Sequence, residues 1–472
     1  MKQEKCRARQ GFLAWFDRYK WWMLGGVLVL LFVSHLYGDI VQTTRFGMNL
    51  WDSIAQGRFT QFYIDNEYGM VENRVYGGPQ SPMYDIFIYI LLAVWGLPLV
   101  IAEKLGVDVM NSTLCWMWMK ALIVLATGGV LLLVARMGQV LGLGKEKCRW
   151  MQFYLASSVM VLCPVLVMAQ YDVFSVFLSL LGVLFYLKDR DVPFVVCFAL
   201  AAGFKMFALF LFVPLLLLKE KRILRILAAV ICVMAPTMLF KLLLPLSDRA
   251  AGMFQQFAYG LFQNTLPFGS AELILFVFAF ILFLFWCYRV QDIQEHRTLV
   301  PWVCLTAYGI YFCTTAANPY WIVLIAPYMV LCLFLSQKDH FQGLLLESAA
   351  GVSFTVASMI THLWCYGERT TANMLWPHIL GETPPEAQWT SPAGLLTLLG
   401  LDADAKQLVV NLCITVFVAA LCLFMYHTYP GHKKEKDSPA QQMGTAMVVR
   451  TVVMVGISLV PLASYFATLL LK

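Results

Sequence analysis

Charged residues are scarce in this sequence, and their scarcity excludes most soluble architectures. Only 13% of the 472 residues are charged, whereas 60% are hydrophobic, and the apolar residues come in runs of about twenty. About twenty apolar residues span a bilayer as a helix, whereas a transmembrane β-strand needs only about half that length. A spanning backbone must satisfy its own hydrogen bonds, so runs of this length indicate helices. The composition therefore predicts an all-α polytopic membrane protein.

The motifs of nucleotide and protease chemistry are also missing. No H-E-x-x-H, P-loop, G-x-S-x-G or G-x-G-x-x-G stands in a context that would support it, so activation by ATP or a nucleotide sugar is not indicated. The thirteen cysteines include no C-x-x-C pair and lie mostly inside apolar runs, which is typical of small core residues. The net charge of +6 comes from short clusters between these runs, so nucleic acid is not an expected partner.

The basic clusters predict the topology, because cytoplasmic segments carry an excess of Lys and Arg. Residues 1–20 form a basic N-terminus that should stay in the cytoplasm, with the first apolar run retained as a signal anchor. Later clusters, among them Lys433 to Lys436 with Arg450 following, are assigned to the same side. Successive basic clusters fall on the cytoplasmic side only if the apolar run 83–102 does not cross the membrane. We therefore expect this run to lie in the outer membrane interface.

About thirteen spans follow from this scheme. They are 21–38, 113–135, 151–168, 172–187, 193–205, 207–218, 222–245, 271–289, 299–315, 320–337, 342–363, 407–426 and 447–470. Three long external segments then remain, 39–112, 246–270 and 364–406. The first should contain an amphipathic interfacial helix, since Phe46, Leu50 and Ile54 share one helical face.

Two carboxylates lie at the start of the first external segment. Asp39 follows the first span directly, and Asp52 lies on the polar face of the amphipathic helix. Either one can serve as a catalytic base. The alternative is that Asp39 is only a helix N-cap and Asp52 a solvated partner of Arg45.

Further polar residues lie at predicted membrane boundaries. Gln170, Tyr171 and Asp172 occupy a short external turn, where ionisable groups are often functional, although Asp172 can also simply start a helix. Lys205 is a lone cation near the outer end of its span, suited either to an anion such as a lipid phosphate or to snorkelling. It is also the only candidate found for a charge at the membrane midplane. Arg249 lies in the second external segment and is alternatively an ordinary loop residue.

A second turn combines polar and aromatic residues. Asn318, Tyr320 and Trp321 begin the stretch "NPYWIVLIAPYMVL", and they are either part of a site or an interfacial anchor.

Taken together, these motifs resemble the GT-C superfamily of integral-membrane glycosyltransferases, and most of all the bacterial enzymes that use polyprenyl-phosphate sugars. The resemblance runs in order over residues 20–335. It lies in Asp39 after the first span, "GPQSPMYDIFIYILLAVWGL", "QYDVFS", "GFKMF" and "NPYWIVLIAPYMVL". Ser81 replaces the first proline of the family's "PP-L-Y" helix, and a single Asp39 replaces its paired acidic motif, so the base stays open between Asp39 and Asp52.

The resemblance implies a catalytic transmembrane module at 21–335 and a variable C-terminal module at 336–472. It implies inverting transfer from a lipid-linked sugar donor to a glycan, lipid or cell-wall acceptor. Asp39 would be the base with Asp52 as the alternative, and Lys205 and Arg249 would hold the donor phosphate. The sugar or acceptor would be bound by Gln170, Tyr171, Asp172, Asn318, Tyr320 and Trp321, with Trp376 and Trp389 available for stacking.

No cofactor is expected, because Lys or Arg can compensate the charge of a leaving phosphate monoester. A divalent metal between Asp39 and Asp172 is the alternative. The expected location is a bacterial cell membrane, with the active site on the extracytoplasmic face. Two other functions stay open: a transporter or flippase of lipid-linked sugars, and a non-catalytic subunit of a polysaccharide assembly machine.

Overall fold

The computed structural model describes residues 2–70, 79–291, 297–367, 374–376, 379, 391–433 and 440–471. The fold is mainly helical in this part of the chain. Its α-helices, in chain order, are α1 Lys2–Ser34, α2 Gly38–Ala55, α3 Phe62–Asp65, α4 Ile86–Trp95, α5 Leu97–Lys104, α6 Thr113–Val140, α7 Lys145–Ala156, α8 Val159–Leu162, α9 Asp172–Leu187, α10 Asp191–Phe204, α11 Leu209–Lys219, α12 Ile223–Leu243, α13 Asp248–Gly260, α14 Leu275–Arg289, α15 Leu299–Thr314, α16 Ala326–Leu335, α17 His340–Thr361, α18 Leu363–Tyr366, α19 Pro392–Leu398, α20 Ala403–His427 and α21 Ala440–Leu471. Short 3₁₀ helices lie at Phe59–Gln61, Met206–Ala208 and Pro319–Leu324, and a π-helical turn at Cys163–Val167.

Two small antiparallel hairpins complete the described structure. β1 Gly69–Met70 pairs with β2 Pro79–Gln80, and β3 Thr265–Phe268 pairs with β4 Ala271–Ile274. The prediction that a span begins at residue 271 is wrong by four residues, because 271–274 pair as a strand before α14 begins.

Each predicted span falls on helical structure, and the match is closest at α9, which covers 172–187 as predicted. Within the described residues, five helices are long and apolar enough to cross a membrane, or up to eight if each bent pair of helices forms one span. These findings support a multi-pass membrane protein but not thirteen crossings. The reason is length: the 14 residues of α10 extend only about 21 Å, whereas the hydrocarbon core is about 30 Å thick.

The first external segment is organised around a close helix crossing. α2 forms where the amphipathic helix was predicted, and it packs on α4. Gly47 lies at the contact, where a Cβ atom would approach the Cβ of Leu92 to 2.8 Å and the backbone N of Ala93 to 2.9 Å. Trp51 fixes the crossing by donating its indole N–H to the carbonyl of Ala93 at 2.9 Å.

The run 83–102, predicted to lie in the interface, is broken into α4 and α5. The two helices are bent by 58° and comprise ten and eight residues, so neither is long enough to cross a membrane alone. This geometry is compatible with an interfacial segment, and the sidedness of the segment stays a prediction.

A buried ion pair joins the C-terminal helices to the rest of the bundle. Arg450 donates to both carboxylate oxygens of Glu347, at 2.6 and 3.0 Å, and to the Ser157 hydroxyl at 2.8 Å. Both charged residues are buried. The assignment of Arg450 to a cytoplasmic basic cluster is therefore wrong, because its charge is neutralised between α17 and α21 rather than exposed to water.

Candidate functional site

The carboxylate of Asp39 is the centre of a polar cluster. Asp39 lies in the first turn of α2, just after the 66° bend that separates α2 from α1. Its Oδ2 accepts hydrogen bonds from the Tyr84 hydroxyl at 3.3 Å, the Gln170 amide at 3.1 Å and the Tyr171 hydroxyl at 3.2 Å. Among the residues that the structure describes, its Oδ1 has one long contact, 3.5 Å from the Thr43 hydroxyl. One oxygen is thus fixed, and the other can accept a further donor on a partly exposed side chain.

The turn before α9 delivers Gln170 and Tyr171 to this carboxylate. Ala169 adopts a left-handed conformation with φ 49°, and the backbone N–H of Gln170 donates to the carbonyl of Pro164 at 2.9 Å. A non-glycine residue in this region is uncommon and strained, and such strain is concentrated at functional sites. The preceding π-helical turn, which contains Pro164, provides the change of direction.

A buried lysine holds the two segments that carry the cluster. Lys120 of α6 donates to the carbonyl of Phe32 at 2.7 Å, to that of Leu166 at 3.0 Å and to that of His35. The carbonyls of Phe32 and His35 lie on either side of the last residue of α1, seven and four residues before Asp39. The carbonyl of Leu166 lies four residues before Gln170. Lys120 therefore fixes both backbones relative to each other.

An ion pair lies beside Asp39. Lys205 Nζ is 3.1 Å from Asp172 Oδ1, and the Asp172 side chain is fully buried. Lys205 reaches Asp172 because its extended backbone, with φ −154° and ψ 124°, ends α10 before the next 3₁₀ helix. The ammonium faces three rings, with centroids 4.8 Å away in Tyr84, 5.7 Å in Tyr171 and 5.9 Å in Trp321. Such contacts hold a cation where water is scarce.

Two buried acceptors in this cluster lack a hydrogen-bond partner among the described residues. They are Gln170 Oε1 and Asp172 Oδ2. Leaving such groups unpaired costs about 1–3 kcal/mol each, so unpaired buried acceptors need a specific reason. Oxygens directed into a polar cluster are suited to bind the hydroxyl groups of a ligand.

The turn at residues 318–321 belongs to the same cluster. Trp321 faces Lys205, and Tyr320 interacts electrostatically with the carboxylates of Asp39 and Asp172. Asn318 donates to the Tyr320 hydroxyl at 3.3 Å, so the asparagine orients the tyrosine. The structure therefore brings together Asp39, all of 170–172, Lys205 and the 318–321 turn, which are far apart in the sequence.

Two predicted site residues lie elsewhere. Asp52 is exposed, and it follows Asp39 by thirteen positions on the same helix, which corresponds to about 20 Å. Its proposed pairing with Arg45 is also wrong, since Arg45 forms an ion pair with Glu103. Arg249 lies beside the first external segment, where its backbone N–H donates to Glu67 at 3.2 Å and its guanidinium lies 5.7 Å from the ring centroid of Tyr68.

Sequence reasoning missed three residues of the cluster: Tyr84, Asp85 and Lys241. Lys241 Nζ lies 3.3 Å from Asp85 Oδ1, next to the tyrosine that binds Asp39. Two signals were available. Tyr84 and Asp85 belong to the stretch "SPMYD", and Lys241 is a lone cation near the end of an apolar run, as Lys205 is.

Of the two tryptophans predicted to be available for stacking, the structure describes Trp376, and its side chain is engaged within the protein. Trp376 donates its indole N–H to the Ser34 hydroxyl at 2.9 Å and packs edge-on against Phe466, so it joins α1 to α21. Trp389 lies outside the described residues. Among the described residues, no three His, Cys, Asp or Glu side chains converge to hold a metal ion. Asp172, the alternative metal partner of Asp39, is paired with Lys205 instead.

No protein-family model matches this chain, and no curated protein is significantly similar to it in sequence.

Proposed function

We propose that this chain is a GT-C-type glycosyltransferase that moves a sugar from a polyprenyl-phosphate donor to a glycan or lipid acceptor on the extracytoplasmic face. The observation that carries the proposal is the asymmetry of Asp39. Three donors hold Oδ2, whereas Oδ1 has one long contact among the described residues. The carboxylate as a whole interacts electrostatically with the ammonium of Lys205. Transfer with inversion needs one general base and a cationic environment for the leaving phosphate.

In the proposed reaction, Asp39 Oδ1 takes the proton of the acceptor hydroxyl. The acceptor oxygen then forms a bond to the anomeric carbon while the bond from that carbon to the phosphate oxygen breaks. The lipid phosphate leaves with the bonding electrons, and the configuration at the anomeric carbon inverts. The unpaired oxygens of Gln170 and Asp172 bind hydroxyl groups of the sugar or the acceptor.

The charge balance favours a second cation beside Lys205. Asp39 and Asp172 provide two negative charges against the single ammonium of Lys205, so a bound phosphate needs further compensation. Lys241 adds a second ammonium, but Asp85 already pairs with it. The further positive charge therefore comes from Arg249 on the neighbouring external helix, if the donor extends that far. A carboxylate pair this close to lysines does not require a metal, and metal independence is part of the proposal.

A transporter of lipid-linked sugars is the second candidate, and one observation favours it. Glu347, Arg450 and Lys120 are buried inside helices long enough to span a membrane, so Lys205 is not the only charge in such a position. Each of the three has internal partners in the structure, which suits fixed cross-links better than a moving charge network.

Reconstituted liposomes separate the two candidates. The protein is supplied with radiolabelled polyprenyl-phosphate hexoses and an unlabelled cell-envelope glycan fraction, and both labelled glycan and donor sidedness are measured. The transferase proposal predicts that donor disappears into a new labelled product. Donor that changes leaflet without being consumed would support transport and contradict the proposal.

A further inference from the structure

An exposed tryptophan stands next to the Asp39 cluster. Trp364 lies on α18, directly after α17, and is 42% exposed. Its ring centroid lies 6.0 Å from that of Tyr37, 6.0 Å from that of Tyr320 and 5.8 Å from that of His362. Both tyrosines are buried and contact the indole at interplanar angles of 48° and 84°, while part of the indole surface is open.

The two supporting tyrosines connect Trp364 to the proposed active site. Tyr37 precedes Asp39 by two residues, and Tyr320 precedes Trp321, whose ring faces Lys205. Trp364 is thus separated from Asp39, the proposed base, by Tyr37, and from the Trp321–Lys205 contact by Tyr320.

The indole N–H of Trp364 differs from those of six of the thirteen described tryptophans. The indole N–H groups of Trp51, Trp95, Trp116, Trp118, Trp302 and Trp376 all donate to protein oxygens. Within the described residues, Trp364 has no such acceptor, and its N–H stays available to a ligand. A ring that is supported, partly exposed and free to donate has the properties of a binding platform.

We propose that Trp364 forms a carbohydrate subsite that stacks against a pyranose ring of the acceptor glycan. The proposal rests on the proposed function and adds to it the place where the acceptor is held. The negative face of an aromatic ring attracts the slightly positive C–H groups of a sugar face, whereas its indole N–H can donate to a sugar oxygen.

His362 adds a polar side to this subsite. The imidazole follows the last residue of α17 and is half-buried beside the indole. Its Nδ1 lies 2.7 Å from the Thr361 hydroxyl, which leaves Nε2 for a sugar hydroxyl. Stacking on a ring together with one or two polar contacts is how small polar ligands are usually oriented.

Saturation-transfer-difference NMR tests the subsite directly. Wild-type protein in lipid nanodiscs is mixed with methyl α- and β-glycosides of glucose, galactose, mannose and N-acetylglucosamine. At least one glycoside should give a signal in the wild type, and Trp364→Ala and Trp364→Leu should reduce it at least tenfold. Trp364→Phe should retain more than a fifth of it, since the aromatic face is kept.

The matched control is Trp22→Ala, because Trp22 is 81% exposed and lies on α1. This variant should bind the glycosides as the wild type does. Gel filtration and thermal unfolding should show that all variants fold. No signal in the wild type, or an unchanged signal in Trp364→Ala, would overturn the subsite and leave Trp364 as an interfacial anchor.

The subsite and the transferase proposal fail in different ways. If the donor is never consumed but glycoside binding depends on Trp364, the subsite stands and the transferase proposal fails. If the donor is consumed and glycoside binding does not depend on Trp364, the transferase proposal stands and the subsite is wrong.

Discussion

At the scale of single residues, three hydrogen-bond donors converge on one carboxylate oxygen, that of Asp39. Tyr84, Gln170 and Tyr171 all donate to Oδ2 of Asp39 and leave Oδ1 as the oxygen that the proposed reaction uses. Hydrogen bonds to a charged group contribute about 1.5–3 kcal/mol each. The donors therefore both orient the proposed base and stabilise its charge.

Removing one donor should impair turnover without unfolding the protein. We expect Tyr84→Phe to lower kcat by about 10- to 100-fold, which corresponds to one charge-assisted hydrogen bond. Steady-state turnover of the lipid-linked donor measures this effect. Tyr328→Phe is the matched control, because the Tyr328 hydroxyl is buried without a hydrogen-bond partner among the described residues and should be dispensable. Equal activity of the two variants would argue against the role of Tyr84.

At the scale of helices, the crossing of α2 over α4 positions both Asp39 and Tyr84. Gly47→Ala would place a Cβ atom 2.8 Å from Leu92 Cβ and 2.9 Å from a backbone nitrogen. We expect this substitution to destabilise the protein by about 1–3 kcal/mol, because a backbone atom cannot move aside easily. Thermal unfolding in detergent measures the change.

Gly25→Ala is the control for this crossing. Gly25 lies in α1, and a Cβ atom added there would meet no other atom within 4 Å. Alanine is about 0.5–1 kcal/mol better than glycine inside a helix, so this variant should be as stable as the wild type or slightly more stable. A Gly47→Ala protein that unfolds no earlier than Gly25→Ala would show that the crossing is loose.

The ion pair between α17 and α21 should behave as a buried cross-link. Arg450→Met leaves Glu347 charged and unpaired, and breaking such a pair typically costs about 3–5 kcal/mol. We expect a clearly lower unfolding temperature, with much of the loss recovered in the double variant Glu347→Leu, Arg450→Met. The exposed Arg289→Met should change stability by less than about 0.5 kcal/mol. If Arg450→Met matches Arg289→Met, the pair contributes no net stability.

For the whole molecule, most helices and several residues of the Asp39 cluster could be predicted from the sequence for the same reason, the position of the long apolar runs. Long apolar runs are visible without a structure, and Asp39, Asp172 and Lys205 each lie where such a run ends. Tyr84 and Lys241 were missed because their place depends on bends and breaks that composition does not show. The same is true of Lys120, Glu347 and Arg450, whose burial follows from packing between distant helices.

The orientation of the whole molecule is a separate prediction. The proposed topology places the β3–β4 hairpin outside the cell and the start of α12 inside. An impermeant maleimide should therefore label Ser270→Cys in intact cells, and Arg222→Cys only after the membrane is made permeable. Both positions are exposed. Labelling of the unsubstituted protein, which measures the contribution of its native cysteines, is subtracted from that of each variant. The opposite labelling pattern would show that the predicted topology is inverted and that the Asp39 cluster faces the cytoplasm.

The role of Asp39 as the base is tested most directly by comparing Asp39→Asn with Asp52→Asn in the donor-consumption assay. Both substitutions neutralise a carboxylate on the same helix, but only Asp39 belongs to the cluster. Loss of a general base typically costs about 10²- to 10⁴-fold. We predict such a loss of turnover for Asp39→Asn with folding intact, and near-normal turnover for Asp52→Asn. Near-normal turnover of Asp39→Asn would contradict the assignment of Asp39 as the base.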